Sequence, residues 1–227
     1  MSHFTIPASG PRITRREKPK YKLKRHNLRE RALPALRKDF QDRCAYSMQH
    51  IDRAGGIEHM EIDHFDSTQK GDYHQQYDNL FLAKGACNRK KQDRPRRAEA
   101  KSGLRFLNCC KEIDYNGVIF EDPDTHEVWG ATPEAKYHIR YLGLNTRNLV
   151  DERRERSELE TILHRSFLRK KAPDKKMIGL IQLLVETLQK HIPIIELRRK
   201  PLPASACPPI ADMRAPTTVQ RKDIFSD

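Results

Sequence analysis

The chain has 227 residues, 37% hydrophobic and 33% charged, with 44 Lys and Arg against 31 Asp and Glu and a formal net charge of +13. No stretch approaches the roughly 20 apolar residues that span a bilayer, and the charge favours a polyanionic partner, nucleic acid being the commonest. Five irregularly placed cysteines (Cys44, Cys87, Cys109, Cys110, Cys207) argue against a secreted disulfide framework, and residues 1–16 hold no apolar run of the signal-peptide kind, so a soluble, cytoplasmic protein is expected.

Residues 1–43 read as a basic N-terminal arm leading into a helix. Leu28, Leu33, Leu36 and Phe40 recur at helical spacing, and Pro34 interrupts them, which predicts one short amphipathic helix or two. The basic residues of 18–25 suit either a segment lying along phosphates or a solvated helix face. From Cys44 the pattern changes. Gly55-Gly56 marks a turn, and Met60, Ile62 and His64-Phe65 predict a short strand ending in a polar pair. Residues 66–78 read as a polar loop and 79–83 as a second strand. Gly85 precedes a very basic helix over 86–97, broken at Pro95.

Further on, the short apolar runs at 104–107 and 118–120, with turn signals at Asn116-Gly117 and Asp122-Pro123, predict strands and loops over 104–145. Residues 150–171 predict a helix with Leu159, Ile162, Leu163 and Phe167 on one face. Residues 176–192 predict a second helix, apolar nearly all round and expected to be buried against another helix or a partner. The prolines from Pro201 onward predict a disordered tail. The expected division is a basic arm over 1–43, a domain over 44–110, a mixed then helical region over 111–200 and a tail over 201–227.

The chemistry concentrates in Glu61-Ile62-Asp63-His64-Phe65, Tyr77-Asp78-Asn79-Leu80 and Cys87-Asn88-Arg89-Lys90-Lys91. Phosphodiester cleavage needs a base for the attacking water, a cation on the phosphate and leaving oxygens, and basic groups that bring in the backbone. An unperturbed imidazole titrates in the range suited to a general base, which makes His64 the candidate. Asp63 and Asn88 offer hard oxygen ligands, a sparse set that suits Mg²⁺ with its retained waters. Asn79 is placed where its amide could bond the loop backbone and fix the geometry around His64. Arg89, Lys90, Lys91 and Arg94 are candidates for contact with nucleic acid, with Arg96 and Arg97 on the same expected helix. Asn88 as a helix-cap residue is the rival reading.

These elements resemble the HNH endonuclease family, in which a strand ending in Asp-His is followed by an Asn-Leu strand and a helix carrying Cys-Asn-x-x-Lys. The match covers about a quarter of the chain as a motif, with 15 positions from His64 to Asn79 and 9 from Asn79 to Asn88. The resemblance implies an α+β chain with a ββα-metal core, a basic helical arm and a helical C-terminal region. It implies cleavage of DNA to 3′-hydroxyl and 5′-phosphate ends, with His64 as general base, Asn79 as the supporting Asn, and Asp63 and Asn88 on one Mg²⁺ or Mn²⁺. A second resemblance, carried by Tyr137–Asn145, Leu149-Val150 and Arg153, is to the HNH subunits of Septu-type and retron-linked anti-phage systems. It implies a separate ATPase partner.

Many HNH domains carry two Cys-x-x-Cys pairs on zinc. Here Ser47 stands three after Cys44 and Lys84 three before Cys87, so half of each pair is absent and zinc is not expected. Cys44 and Cys87 read better as small buried apolar groups. Two other functions remain open at this point: a nucleic-acid-binding module without catalysis, and an interaction subunit docking through the apolar helix near Leu180 and Leu188.

Overall fold

Residues 12–17, 23–67, 76–111, 115–167 and 175–193 are described by a computed structural model. The chain is mixed α+β, mostly helical, with two small antiparallel two-stranded sheets. The tail expected from Pro201 and most of the basic run 18–25 lie outside the described residues.

Helix α1 (Leu28–Asp39) buries Ala32 and Leu36, with Phe40 just beyond its end. It runs unbroken through Pro34, which the sequence marks as an interruption. Proline removes one intrahelical bond, and the buried contacts on both sides of it outweigh that loss. Part of the basic arm also belongs to this core. Ile13 is buried and its N–H donates to the Cys109 carbonyl at 2.8 Å. Arg15 donates to the Tyr77 carbonyl at 3.0 Å and to that of Leu80, and its guanidinium lies about 5 Å from the ring centres of Phe40, Tyr77 and Phe81.

Helix α2 (Ile51–Ala54) ends in the expected turn, where Gly55 and Gly56 take φ of 102° and 109°. A 3-10 turn (Ile57–His59) leads into β1 (Met60–His64), which pairs antiparallel with β2 (Leu80–Lys84), setting His64 opposite Leu80 and Met60 opposite Lys84. β2 is buried on both faces and packs on α1. It passes directly into α3 (Gly85–Lys91). That helix is shorter than the sequence predicts. It ends before Gln92, which takes φ of 50°, so Arg94, Arg96 and Arg97 do not continue it. A separate short helix, α4 (Arg97–Lys101), follows.

Residues 104–107 form no strand. The second sheet is β3 (Ile119–Glu121) with β4 (Val128–Gly130), preceded by α5 (Tyr115–Val118). Asp122 closes their turn, its Oδ1 accepting the N–H groups of Asp124 and Thr125, so the acidic run there is a turn. The sequence reading of strands and loops over 104–145 misses α6 (Pro133–Leu142). This helix has a Thr132 cap accepting from the Ala135 N–H, Pro133 at its start, and Gly143 at its end with φ of 64°. Its backbone comes so close to β4 that a Cβ on Gly130 would lie 2.6 Å from the Ala135 carbonyl carbon, which fixes glycine there.

Two long helices complete the described chain, α7 (Arg147–Phe167) and α8 (Lys175–Lys190), packed on each other. The buried face of α7 carries Leu149, Glu152, Arg153 and Arg156, whereas Ile162 from the expected apolar face is exposed. Packing on α7 leaves no described residue of α8 fully buried, and Ile178, Leu180 and Leu183 are exposed, so the expected burial against another helix is partial. Arginines join these helices to the rest. Arg43 donates to the carbonyls of Met48 and His191, both at 2.9 Å, and of Gln189. Arg156 holds the Ile192 carbonyl at 2.9 Å and the buried Glu121 at 2.5 Å. Among the described residues no helix is long and apolar enough to cross a membrane.

Candidate active site

β1, β2 and the first turns of α3 bring Asp63, His64, Asn79 and Asn88 into one region. His64 ends β1, and the chain turns immediately after it. Asn79 holds that turn from the other side. Its Oδ1 accepts the Asp66 N–H at 2.8 Å, its Nδ2 donates to the Asp66 carbonyl at 3.1 Å, and its own carbonyl accepts the Phe65 N–H at 2.8 Å. Two side-chain bonds and one backbone bond from this buried residue therefore hold the backbone that follows His64.

Asp63 points inward and is 6% exposed. The Tyr46 hydroxyl donates to its Oδ2, and the Lys91 ammonium lies 3.0 Å from Oδ1 and 2.9 Å from Oδ2. Lys91 also donates to the His64 carbonyl at 2.7 Å. Burial, reinforced by the Asp63 charge, pushes the Tyr46 phenol well above its usual range, so it remains a donor. One ammonium thus ties the carboxylate of Asp63 to the backbone of its neighbour. Lys91, expected among the phosphate-facing cations, is 1% exposed and faces the opposite way. Its position explains this: it lies four residues after the buried Cys87, on the same face of α3.

Of the other expected cations, Arg89 and Lys90 are exposed on α3. Arg94 is largely covered, paired with Glu99 and stacked 3.9 Å over the Tyr141 ring centre, and the Tyr137 hydroxyl donates to the same Glu99 at 2.9 Å. Its visible role is to tie the segment after α3 to α6. Arg96 and Arg97 are exposed beside it.

Asn88 is half-buried, and its Nδ2 donates to Glu61 Oε2 at 2.8 Å. A helix-cap role does not apply, since Asn88 lies inside α3. Glu61, which the sequence reading passed over, sits two residues before Asp63, on the same face of β1. That period of two was the available signal. Tyr46 carried none, since nothing in the sequence joins it to Asp63.

The positions of the two half-missing cysteine pairs do come together. The Lys84 N–H lies 3.2 Å from Cys44 Sγ, and both Ser47 and Cys87 bond the same sulfur. Burial opposes ionisation of Cys44, but bonds from the Cys87 thiol, the Lys84 backbone and Ser47 outweigh it and bring its pKa down to about 6. The Cys87 thiol is pushed up, by its bond to Cys44 and by burial. The Lys84 ammonium continues outward to Gln49 at 2.7 Å, and Gln49 to Glu152 on α7 at 2.5 Å. Cys109 and Cys110 lie elsewhere, against Ile13, with sulfurs 3.9 Å apart. Among the described residues no three His, Cys, Asp or Glu side chains converge as a metal-holding group.

The two candidate ligands, Asp63 on β1 and Asn88 on α3, offer a carboxylate and an amide oxygen, the hard donors that Mg²⁺ or Mn²⁺ takes. A carboxylate offers about four acceptor positions, and Tyr46 and Lys91 use three of those of Asp63. By donor chemistry alone the pair fits a divalent ion that keeps most of its water. No family model, no curated protein and no solved structure matches the chain.

Proposed function

We propose that the chain is a metal-dependent endonuclease of the HNH type, with a ββα-metal core, that hydrolyses phosphodiester bonds in DNA. The observation that carries this reading is the Asn79 clamp on Asp66, which fixes the turn after His64 in the way a mounted general base requires. The spacing of Asp63-His64, Asn79 and Asn88, the gathering of positions 44, 47, 84 and 87, and the net charge of +13 support it.

In this reading the His64 imidazole takes the proton of the attacking water. Lys91, through the His64 carbonyl, and Asn79, through the following turn, hold the backbone still. Asp63 and Asn88 would hold the Mg²⁺ or Mn²⁺, whose chemistry is to neutralise charge on the phosphate and leaving oxygens. Arg89 and Lys90, with Arg96 and Arg97, draw in the phosphate backbone, and the products carry 3′-hydroxyl and 5′-phosphate ends. The test is cleavage of plasmid DNA and of RNA by wild type and His64→Ala in Mg²⁺, Mn²⁺ and EDTA. Cleavage of DNA that needs both metal and His64 is the expected result. Full activity in His64→Ala overturns the assignment, and salt-sensitive binding with no cleavage selects a binding module instead.

A second role, compatible with the first, is favoured by the exposure of Leu180 and Leu183, 54% and 59%, on α8. Large apolar side chains at that exposure suit a protein partner, and the resemblance to anti-phage HNH subunits makes an ATPase the partner to seek. Capture of an ATPase from the source cells by wild type, lost in Leu183→Glu at an unchanged melting temperature, is the expected outcome.

A further inference from the structure

We infer that Glu61 is a positioning residue that sets the orientation of the Asn88 amide, keeping its oxygen available to a metal ion, and that Gly85 is required to give the Glu61 carboxylate its place. This rests on the nuclease reading above and adds to it a residue outside the resemblance.

An asparagine amide has two faces of nearly equal shape, one an acceptor and one a donor, so packing alone does not choose between them. A carboxylate only accepts. With Glu61 Oε2 at 2.8 Å, Asn88 must present its NH₂ there, and its Oδ1 is turned away from Glu61. A flipped amide would set two oxygens against each other inside hydrogen-bond distance. Glu61 thereby keeps the oxygen of Asn88 available as a ligand and lowers the fraction of protein with a donor where an acceptor is needed.

The carboxylate is itself held by α3. Gly85, Asn88 and Arg89 stand at i, i+3 and i+4, one helical face, and Arg89 Nη1 is 3.4 Å from Glu61 Oε1. A Cβ on Gly85 would lie 2.5 Å from Glu61 Oε1 and 2.9 Å from Arg89 Nη1. Both are ends of flexible side chains, so alanine at 85 would displace them and leave the helix in place.

The test is Mn²⁺ binding by the full chain, read by electron paramagnetic resonance of free Mn²⁺, with the Asn88 side-chain NH₂ signals read by NMR in metal-free protein. Partners of this kind change metal affinity by about 10–100-fold. Glu61→Ala and Gly85→Ala should each weaken Mn²⁺ binding by about tenfold or more and shift the Asn88 NH₂ signals without metal. Asn88→Asp provides the control, since a carboxylate needs no orienting. In that background Glu61→Ala should leave Mn²⁺ affinity unchanged or raise it by removing a like charge. Equal weakening in both backgrounds would make Glu61 a ligand in its own right and overturn the positioning role. So would unchanged affinity and NH₂ signals in Glu61→Ala. If Asn88→Ala itself leaves Mn²⁺ binding intact, the assignment of Asn88 fails with everything built on it, a result distinct from failure at Glu61 alone. Glu61 is partly exposed, so its alanine variant should fold.

Discussion

Asp63–Lys91 and Glu121–Arg156 are both buried ion pairs, but they are bonded to different parts of the fold. Glu121 is 0% exposed, and its Oε1 takes Arg156 at 2.5 Å and His126 at 3.2 Å, while Arg156 goes on to the Ile192 carbonyl. Those bonds join β3, the β3–β4 turn, α7 and the chain after α8, and Arg156 Nε also lies 3.6 Å from the partly exposed Glu160. From Asp63 one path leads inward to Tyr46 and Lys91, and along the same strand lie half-buried Glu61 and His64, with Asn88 against Glu61. A desolvated pair offers little net stability against a well-packed apolar alternative. Its worth in the second case is to join helices α7 and α8 to the sheet, and in the first, on the proposed nuclease reading, to hold the backbone of His64. Dense charge alone separates neither role; the groups each pair is bonded to do.

The largest expected effect breaks the comparison on function. His64→Ala should lower metal-dependent cleavage by about 10²–10⁴-fold, the range for loss of a general base, while its melting temperature stays near that of wild type. Arg156→Met should do the reverse. It strands Glu121 without its guanidinium and should cost about 3–5 kcal/mol in denaturant unfolding, with little change in cleavage per folded molecule. Lys91→Met should cost a similar amount, because it strands Asp63, but with one difference that sharpens the contrast. Added Mg²⁺ should restore part of the stability of Lys91→Met by binding the released carboxylate, and should leave Arg156→Met unchanged. Equal Mg²⁺ responses in the two variants would remove the distinction drawn here.

A smaller effect is expected at Asn79. Asn79→Ala loses both side-chain bonds to the half-buried Asp66 backbone, a cost of about 1–3 kcal/mol for two hydrogen bonds. If its clamp positions His64, kcat should fall with KM nearly unchanged. A fall in stability alone would reduce the clamp to a turn-stabilising device.

The strand–turn–strand part of the site was legible because a period of two and fixed spacing are properties of sequence. β1, the placement of β2 and the Asn79 contacts follow from them. Lys91 was misplaced because composition reports a charge and not the face it occupies. The inward turn of Cys87 places Lys91 inside, and that inward turn comes from packing on the sheet. The core face of α7 was legible only in part, for a related reason. Its stripe of Leu149, Glu152, Arg153 and Arg156 continues at helical spacing into the partly buried Leu159 and Leu163, but three of the first four are charged, so apolar periodicity registers only the later turns. Helix α6 was readable from Thr132-Pro133 and Gly143, signals that the strand-like runs nearby obscured. Arg94 could not be assigned inward, since its partners Glu99 and Tyr141 come together only in the fold.

The smallest effect tests how closely α6 supports the site. His138 on α6 is fully buried, accepts the Leu107 N–H on Nδ1 at 3.1 Å and meets the ring of Tyr46, the donor to Asp63, edge-on at 6.1 Å. Burial, with a contribution from the Arg12 charge, brings its pKa down from 6.5 to about 3. The unfolded chain therefore takes up a proton below pH 6.5 that the folded chain refuses. Stability at this residue is complete above that pH, falls as pH drops below it, and levels off only near pH 3. One pH unit is worth about 1.4 kcal/mol, so acidification from pH 7.5 to 5.5 should cost wild type about that much through His138. In His138→Asn the side chain keeps an acceptor for Leu107 and has nothing to titrate. It should begin less stable, because the ring contacts with Tyr46 and Phe106 are lost, yet lose about 1.4 kcal/mol less than wild type over the same interval. Parallel loss in the two proteins would place the acid sensitivity elsewhere, with His50, whose pKa burial and the Arg43 charge lower, as the next candidate, and would leave the ring of His138 as packing behind Tyr46.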